Sequence, residues 1–127
     1  MKDIAIYGFG GYGREIASII KSINIVKPTW NIIGFFDDDQ SKLGLENEYG
    51  KVLGGIDFVN SYDKELSVVM AIASPNVLEK IITNINNPNL SFPNIIAPTV
   101  FFFDTETFNI GYGNVICHHC RVSTDVT

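Results

Sequence analysis

The chain has 127 residues, 46% of them hydrophobic and 18% charged, which is enough apolar content for one buried core and too little length for two full lobes. A formal net charge of -5 leaves no basic stripe for a phosphate backbone and argues against general DNA or RNA binding. No apolar run reaches the roughly 18 to 20 residues that cross a bilayer, and two cysteines cannot staple a secreted fold, so a soluble cytoplasmic protein is expected.

Asp3 to Tyr7 is a short apolar run that reads as a buried parallel strand, ending at Gly8. Gly8-Phe9-Gly10-Gly11-Tyr12-Gly13 follows, and behind it Ile16, Ile19, Ile20 and Ile23 mark one face of a helix. Pro28 and Thr29 break the chain before Trp30 to Phe36, a second apolar strand that runs into Asp37, Asp38 and Asp39. Residues 40 to 50 are polar and read as a surface loop. Val52-Leu53 predicts a short strand, and Ile56 to Val59 a single helical turn.

Leu66 to Ala73 is apolar throughout and rich in β-branched residues, which predicts a third buried strand. Ser74 and Pro75 suit the N-cap and first position of a helix, because a serine hydroxyl can accept from an orphan N–H and proline has none to leave unpaired. Leu78, Ile81, Ile82 and Ile85 continue that helix until Asn86-Asn87-Pro88-Asn89, and Pro93 to Ala97 predicts another strand. Residues 1 to 98 therefore read as an α/β unit, a Rossmann-like, mostly parallel sheet with flanking helices.

From residue 99 the spacing changes. Ile110, Ile116 and Val122 recur every six residues, with Asn114, Cys120 and Val126 in a second register of the same stride. Neither a helix nor a strand has that period, whereas a β-helix built from hexapeptides does, so residues 99 to 127 read as the first coils of a β-helix interrupted at Thr127.

Gly8, Gly10 and Gly13 form G-x-G-x-x-G between a strand and a helix, where glycines allow close approach of a ligand and the helix N-terminus attracts a phosphate. The alternative is a tight turn with no ligand. Asp37 and Asp38, at the carboxyl end of the second strand, are placed to accept from ribose hydroxyls or a base N–H; a solvated acidic loop is the competing explanation, and it is the better one for Asp39. Ser74 lies on the same edge and is a further candidate for ligand contact beside its capping role. Arg14 and Glu15 read as a solvated first turn, and Phe101-Phe102-Phe103 as packing between the two regimes. Cys117-His118-His119-Cys120 has metal-ligating residue types, but the six-residue register aims His118 and His119 away from Cys120, so no metal site is expected.

Taken in order, Ile6 to Gly13, Gly34 to Asp39, Ala71 to Ser74, Phe92 to Pro98 and the hexapeptide tail resemble the bacterial sialic-acid and nucleotide-sugar acetyltransferases along the whole chain. The resemblance implies a Rossmann-like domain that binds a UDP-sugar or related sugar, followed by a left-handed β-helix that binds acetyl-CoA and forms homotrimers. It implies that Gly8, Gly10, Gly11 and Gly13 form the glycine turn, that Asp37 and Asp38 lie near the uracil or ribose, and that Ser74 occupies the loop after the third strand. It also implies a catalytic histidine in a later coil, beyond Thr127, so that this chain alone does not transfer acetyl groups. Two rival readings remain at this point: an NAD-binding regulatory or dehydrogenase-type domain, which the glycine turn and acid serve equally well, and a non-catalytic assembly module.

Overall fold

The computed structural model describes residues 1 to 97, together with the backbone of Phe101–Phe102, Val115–Ile116 and Arg121–Val122. The main sheet has six strands: β1 (Lys2–Tyr7), β2 (Trp30–Phe36), β3 (Glu46–Asn47), β4 (Gly50–Gly54), β5 (Leu66–Met70) and β6 (Leu90–Ser91). Their order is β3-β4-β2-β1-β5-β6, parallel throughout except for the antiparallel β3–β4 pair at the edge. The helices are α1 (Gly11–Val26), α2 (Ile56–Ser61) and α3 (Pro75–Asn84).

Alternation along β1 builds two cores. Ile4 and Ile6 meet Ile16, Ile19 and Ile20 of α1 on one face, while Ala5 and Tyr7 meet Val59 of α2 and Ile81 of α3 on the other. Ile32 pairs with Ile4 but Gly34 pairs with Ala5, so the register slips by one residue at Ile33. That slip puts Phe35 with Ile6 on the α1 face and Phe36 with Tyr7 on the other. Gly34 has φ +151, and a Cβ there would lie 2.7 Å from the Lys51 carbonyl oxygen, so only glycine serves at the slip.

Several boundaries differ from the sequence reading. The third long strand stops at Met70, and residues 71 to 74 turn across the sheet edge. The polar stretch 40 to 50 is not an open loop: a 3-10 turn at Gln40–Lys42 leads into β3, which folds back on β4. Glycine and asparagine in that hairpin hid its strand character, and the pairing with β4 supplies it. On α3, Ile81 is buried whereas Ile82 is 51% exposed, since a ten-residue helix lying on a sheet covers a narrower stripe than four apolar positions suggest. Ser74 is the N-cap of α3 and Pro75 follows it, but the serine hydroxyl makes no cap hydrogen bond.

The sixth place in the sheet goes to Leu90–Ser91, unforeseen in the sequence because a two-residue strand carries no periodic signal. The predicted strand at residues 93 to 97 shortens to β7 (Ile95–Ile96), which pairs in parallel with β9 (Val115–Ile116) instead of joining the main sheet. In the same way β8 (Phe101–Phe102) pairs with β10 (Arg121–Val122). Beyond those backbone pairs, the hexapeptide positions Ile110, Asn114, Cys120 and Val126 and the segment Cys117 to Cys120 lie outside the described residues.

Candidate functional site

Two loops diverge at the carboxyl edge of the sheet. After β1 the chain turns toward α1 on one face; after β5, its neighbour, it turns toward α3 on the other. Open parallel sheets bind ligands at such a switch point. A cleft of about 750 Å³ opens on this edge, lined by Asp37 and Asp38 after β2, Gly54 at the end of β4 with Gly55, Ile56 and Asp57 at the start of α2, Gln40 and Leu43 at the two ends of the 3-10 turn, and Val77, Lys80, Ile81 and Asn84 of α3. Its size suits a ligand of nucleotide class. A second hollow of about 550 Å³ lies at the opposite, amino edge, around Lys2, Glu65 and Asn89, away from both the glycine turn and the acids.

The glycines divide into two kinds. Gly8 has φ +124, its N–H donates to the Phe36 carbonyl at 2.7 Å, and a Cβ there would stand 2.5 Å from the Ala71 carbonyl oxygen. A Cβ on Gly13 would collide with the Gly8 carbonyl, so helix and strand can approach this closely only without it. Gly10 and Gly11 are different: a side chain at either would meet nothing within 4 Å. No side chain caps α1, whose first backbone bond runs from Arg14 N–H to the Gly10 carbonyl, so the amides before Arg14 lack an intrahelical partner.

Asp37 is half-buried and fully engaged. Its Oδ2 accepts the Phe9 backbone N–H at 3.0 Å, its Oδ1 accepts Asp39 N–H at 2.9 Å, and Lys42 Nζ lies 3.7 Å from Oδ2. The Phe9 ring meets Phe35 edge to face at 5.2 Å, anchoring the turn that Asp37 clips. Asp38 is exposed and half-engaged: its Oδ1 accepts the Tyr7 hydroxyl at 2.6 Å and the Ile56 backbone N–H at 3.0 Å. Gly55, the N-cap of α2, has no side chain to offer; Asp38 caps that helix from eighteen positions earlier.

Tyr7 is 1% exposed. Burial pushes its phenol far above the ordinary tyrosine range, with the hydrogen bond to Asp38 and the negative charges of Asp38, Asp37 and Asp57 adding in the same direction. At neutral pH the hydroxyl is the donor to Asp38. Asp39 titrates below the usual carboxylate range because the Ser41 hydroxyl and backbone N–H both donate to it. Arg14 does not face the turn alone: its guanidinium pairs with Glu48 of the hairpin at 2.6 Å on the exposed surface.

The structure thus brings Asp37 to the glycine turn, and both acids to one cleft, while Gly8, Gly10, Gly11, Gly13 and Ser74 stand on the same edge outside the cleft lining. Sequence reasoning missed Tyr7, the Gly54–Gly55 loop and Lys80. Tyr7 read as one more apolar strand residue, and only its hydroxyl at the last position of a strand hinted at more. Among the described residues no three His, Cys, Asp or Glu side chains gather to hold a metal ion, and no helix is long and apolar enough to cross a membrane.

No curated protein matches the chain. Among solved structures, the acetyltransferase domain of PglB from Neisseria gonorrhoeae is 22% identical with a TM-score of 0.75, over 95% of this chain and 56% of that one. The same domain in complex with acetyl coenzyme A is 21% identical with a TM-score of 0.74, over 94% of this chain and 55% of that one. PerB from Caulobacter crescentus, in complex with CoA and GDP-perosamine, is 15% identical with a TM-score of 0.74, over 98% and 56%. The fold is shared with all three, and the chain spans little more than half of their length. The family model described as the PglD N-terminal domain matches residues 3–85, which takes in the glycine turn, both acids and Ser74. Since that match covers well over half of the chain, the chain belongs to the PglD N-terminal domain family.

Proposed function

We propose that this chain is the sugar-nucleotide-binding portion of an acetyl-CoA-dependent sugar O- or N-acetyltransferase of surface glycan biosynthesis. The observation that carries the reading is the meeting of Asp37, Asp38, the Gly54–Gly55 loop and α3 on one cleft at the carboxyl edge, tied to the glycine turn by the bond from Phe9 N–H to Asp37. The arrangement separates charges in a way that suits such a ligand. A diphosphate would lie against the uncapped start of α1 at Gly10, Gly11 and Gly13, and the donor-rich nucleoside or sugar against the acids. Ser74 would add a hydroxyl from the β5–α3 loop. The solved PglB and PerB structures, which hold acetyl-CoA or CoA and, for PerB, GDP-perosamine, support the assignment.

The boundary near residue 98 and a left-handed β-helix beyond it belong to the same proposal. Its support is that both parallel ladders join segments 20 residues apart, Ile95 with Val115 and Phe101 with Arg121, and that the paired positions on each side are six residues apart. In the complete enzyme a histidine of a later coil would act as general base, with acetyl-CoA supplying the acyl group, and the assembly would be a homotrimer. No described residue is assigned to the acetyl-CoA.

Titration calorimetry with a UDP-sugar, a GDP-sugar and NADH tests the reading. Heat is expected with a nucleotide sugar, and its loss in Asp38→Ala. Tight NADH binding with no response to either sugar nucleotide would replace it by a dinucleotide-binding function.

A further inference from the structure

The last residue of β1 carries a feature that neither core packing nor the glycine turn requires. Tyr7 lies at the very end of its strand, is 1% exposed, and packs its ring edge to face on Phe36 at 5.8 Å. A phenylalanine would fill that space equally well. What the hydroxyl adds is a 2.6 Å hydrogen bond across the neighbouring strand to Asp38 Oδ1. The same oxygen takes Ile56 N–H at 3.0 Å, so one carboxylate oxygen is held by two donors from two different loops. No hydrogen bond from a described residue reaches Oδ2, and Asp38 lines the cleft. Gly55 is part of the same device, because a Cβ there would stand 2.8 Å from Asp38 Oδ1 and push the carboxylate off its donors.

An exposed aspartate samples several rotamers, and a ligand that binds one of them must first select it. Two donors on Oδ1 remove that cost before the ligand arrives. We propose that Tyr7 is a positioning residue of the carboxyl-edge site: its buried hydroxyl, with Ile56 N–H, fixes Asp38 so that Oδ2 is presented to the cleft as a ready acceptor for a nucleoside or sugar donor. The proposal rests on the sugar-nucleotide reading of that cleft and adds to it a residue that touches no ligand. Asp37 differs, because each of its oxygens already accepts a backbone amide, Oδ2 from Phe9 and Oδ1 from Asp39.

The test is calorimetric titration of the whole chain with UDP and with GDP as probes, in the wild type, Tyr7→Phe, Asp38→Ala and the double variant. Loss of a donor to a charged group should weaken the better probe about tenfold in Tyr7→Phe. Asp38→Ala should weaken it at least as much, and the double variant no more than Asp38→Ala alone, since Tyr7 then has nothing to position. If Tyr7→Phe does not fold, Ile56→Pro carries the same comparison: it removes the second donor at a first helical position, where proline is tolerated. Wild-type affinity in Tyr7→Phe, or losses that simply add in the double variant, would overturn the positioning role alone. Failure of the wild-type chain to bind either probe would overturn the sugar-nucleotide reading and this proposal with it.

Discussion

The backbone N–H of Phe9 donates to Oδ2 of Asp37 at 3.0 Å, so the acid that ends β2 holds the glycine turn that ends β1. That carboxylate, a candidate ligand contact in the cleft lining, is therefore also a strut of the scaffold around it. Asp37→Ala removes acceptors for two backbone amides and is expected to lower stability by about 1–3 kcal/mol. Asp37→Asn keeps one carbonyl oxygen for a single amide and should fall between the two. Urea denaturation of the three proteins checks the order.

The glycines of the turn should separate stability from binding. Gly13→Ala drives a methyl group into the Gly8 carbonyl and is expected to cost about 2–4 kcal/mol or abolish folding. Gly10→Ala and Gly11→Ala place the methyl in open space at negative or helical φ, so the unfolding free energy should hold within about 1 kcal/mol of wild type. The same two variants should lose nucleotide-sugar affinity, because the space they fill is where the diphosphate would lie. Thermal melts and calorimetry on one set of samples would show the split.

Ser74 gives a sharper contrast. A working N-cap serine is worth about 1 kcal/mol, yet the hydroxyl of Ser74 makes no cap bond. Ser74→Ala should therefore leave the unfolding free energy within about 0.5 kcal/mol of wild type. A larger loss would mean that the cap forms in solution.

Tyr7 predicts an alkaline limit. Its phenol is held protonated in the folded chain, by burial first and by the neighbouring acids second, while in the unfolded chain it ionises near the ordinary value of about 10. A folded pKa raised above the unfolded one contributes stability that is complete below about pH 10 and is lost as the pH rises from there toward the folded value. The wild-type chain should thus lose stability above about pH 10 faster than Tyr7→Phe, measured by denaturation at stepped pH.

Much of the fold was legible in the residues. Apolar runs of strand length, the glycine turn between the first strand and its helix, and Pro75 at a helix start each reflect local chemistry, and local chemistry is what periodicity reports. The hairpin at β3–β4 and the short strand at Leu90–Ser91 were not legible. Strands of two residues exist because a partner's backbone is there to pair with, and no side-chain pattern announces that. The face taken by Phe35 was hidden too, since an unbroken apolar run looks the same before and after a one-residue slip at Ile33.

The site divides along the same line. The sequence by itself determined which residue types stand at the carboxyl ends of the strands: glycines after the first, carboxylates after the second, Ser74 after the third long one. Chain order and strand length settle that without any long-range contact. Only the tertiary structure decided how the two acids differ. Asp37 meets an amide twenty-eight positions away, while Asp38 meets a hydroxyl thirty-one positions away and has no hydrogen bond from a described residue on its second oxygen. Adjacent, chemically identical side chains took different partners because Asp37 stands within reach of the Phe9 amide in the turn after β1, whereas Asp38 stands within reach of the Tyr7 hydroxyl and the first amide of α2, and only the packing of distant segments places those donors.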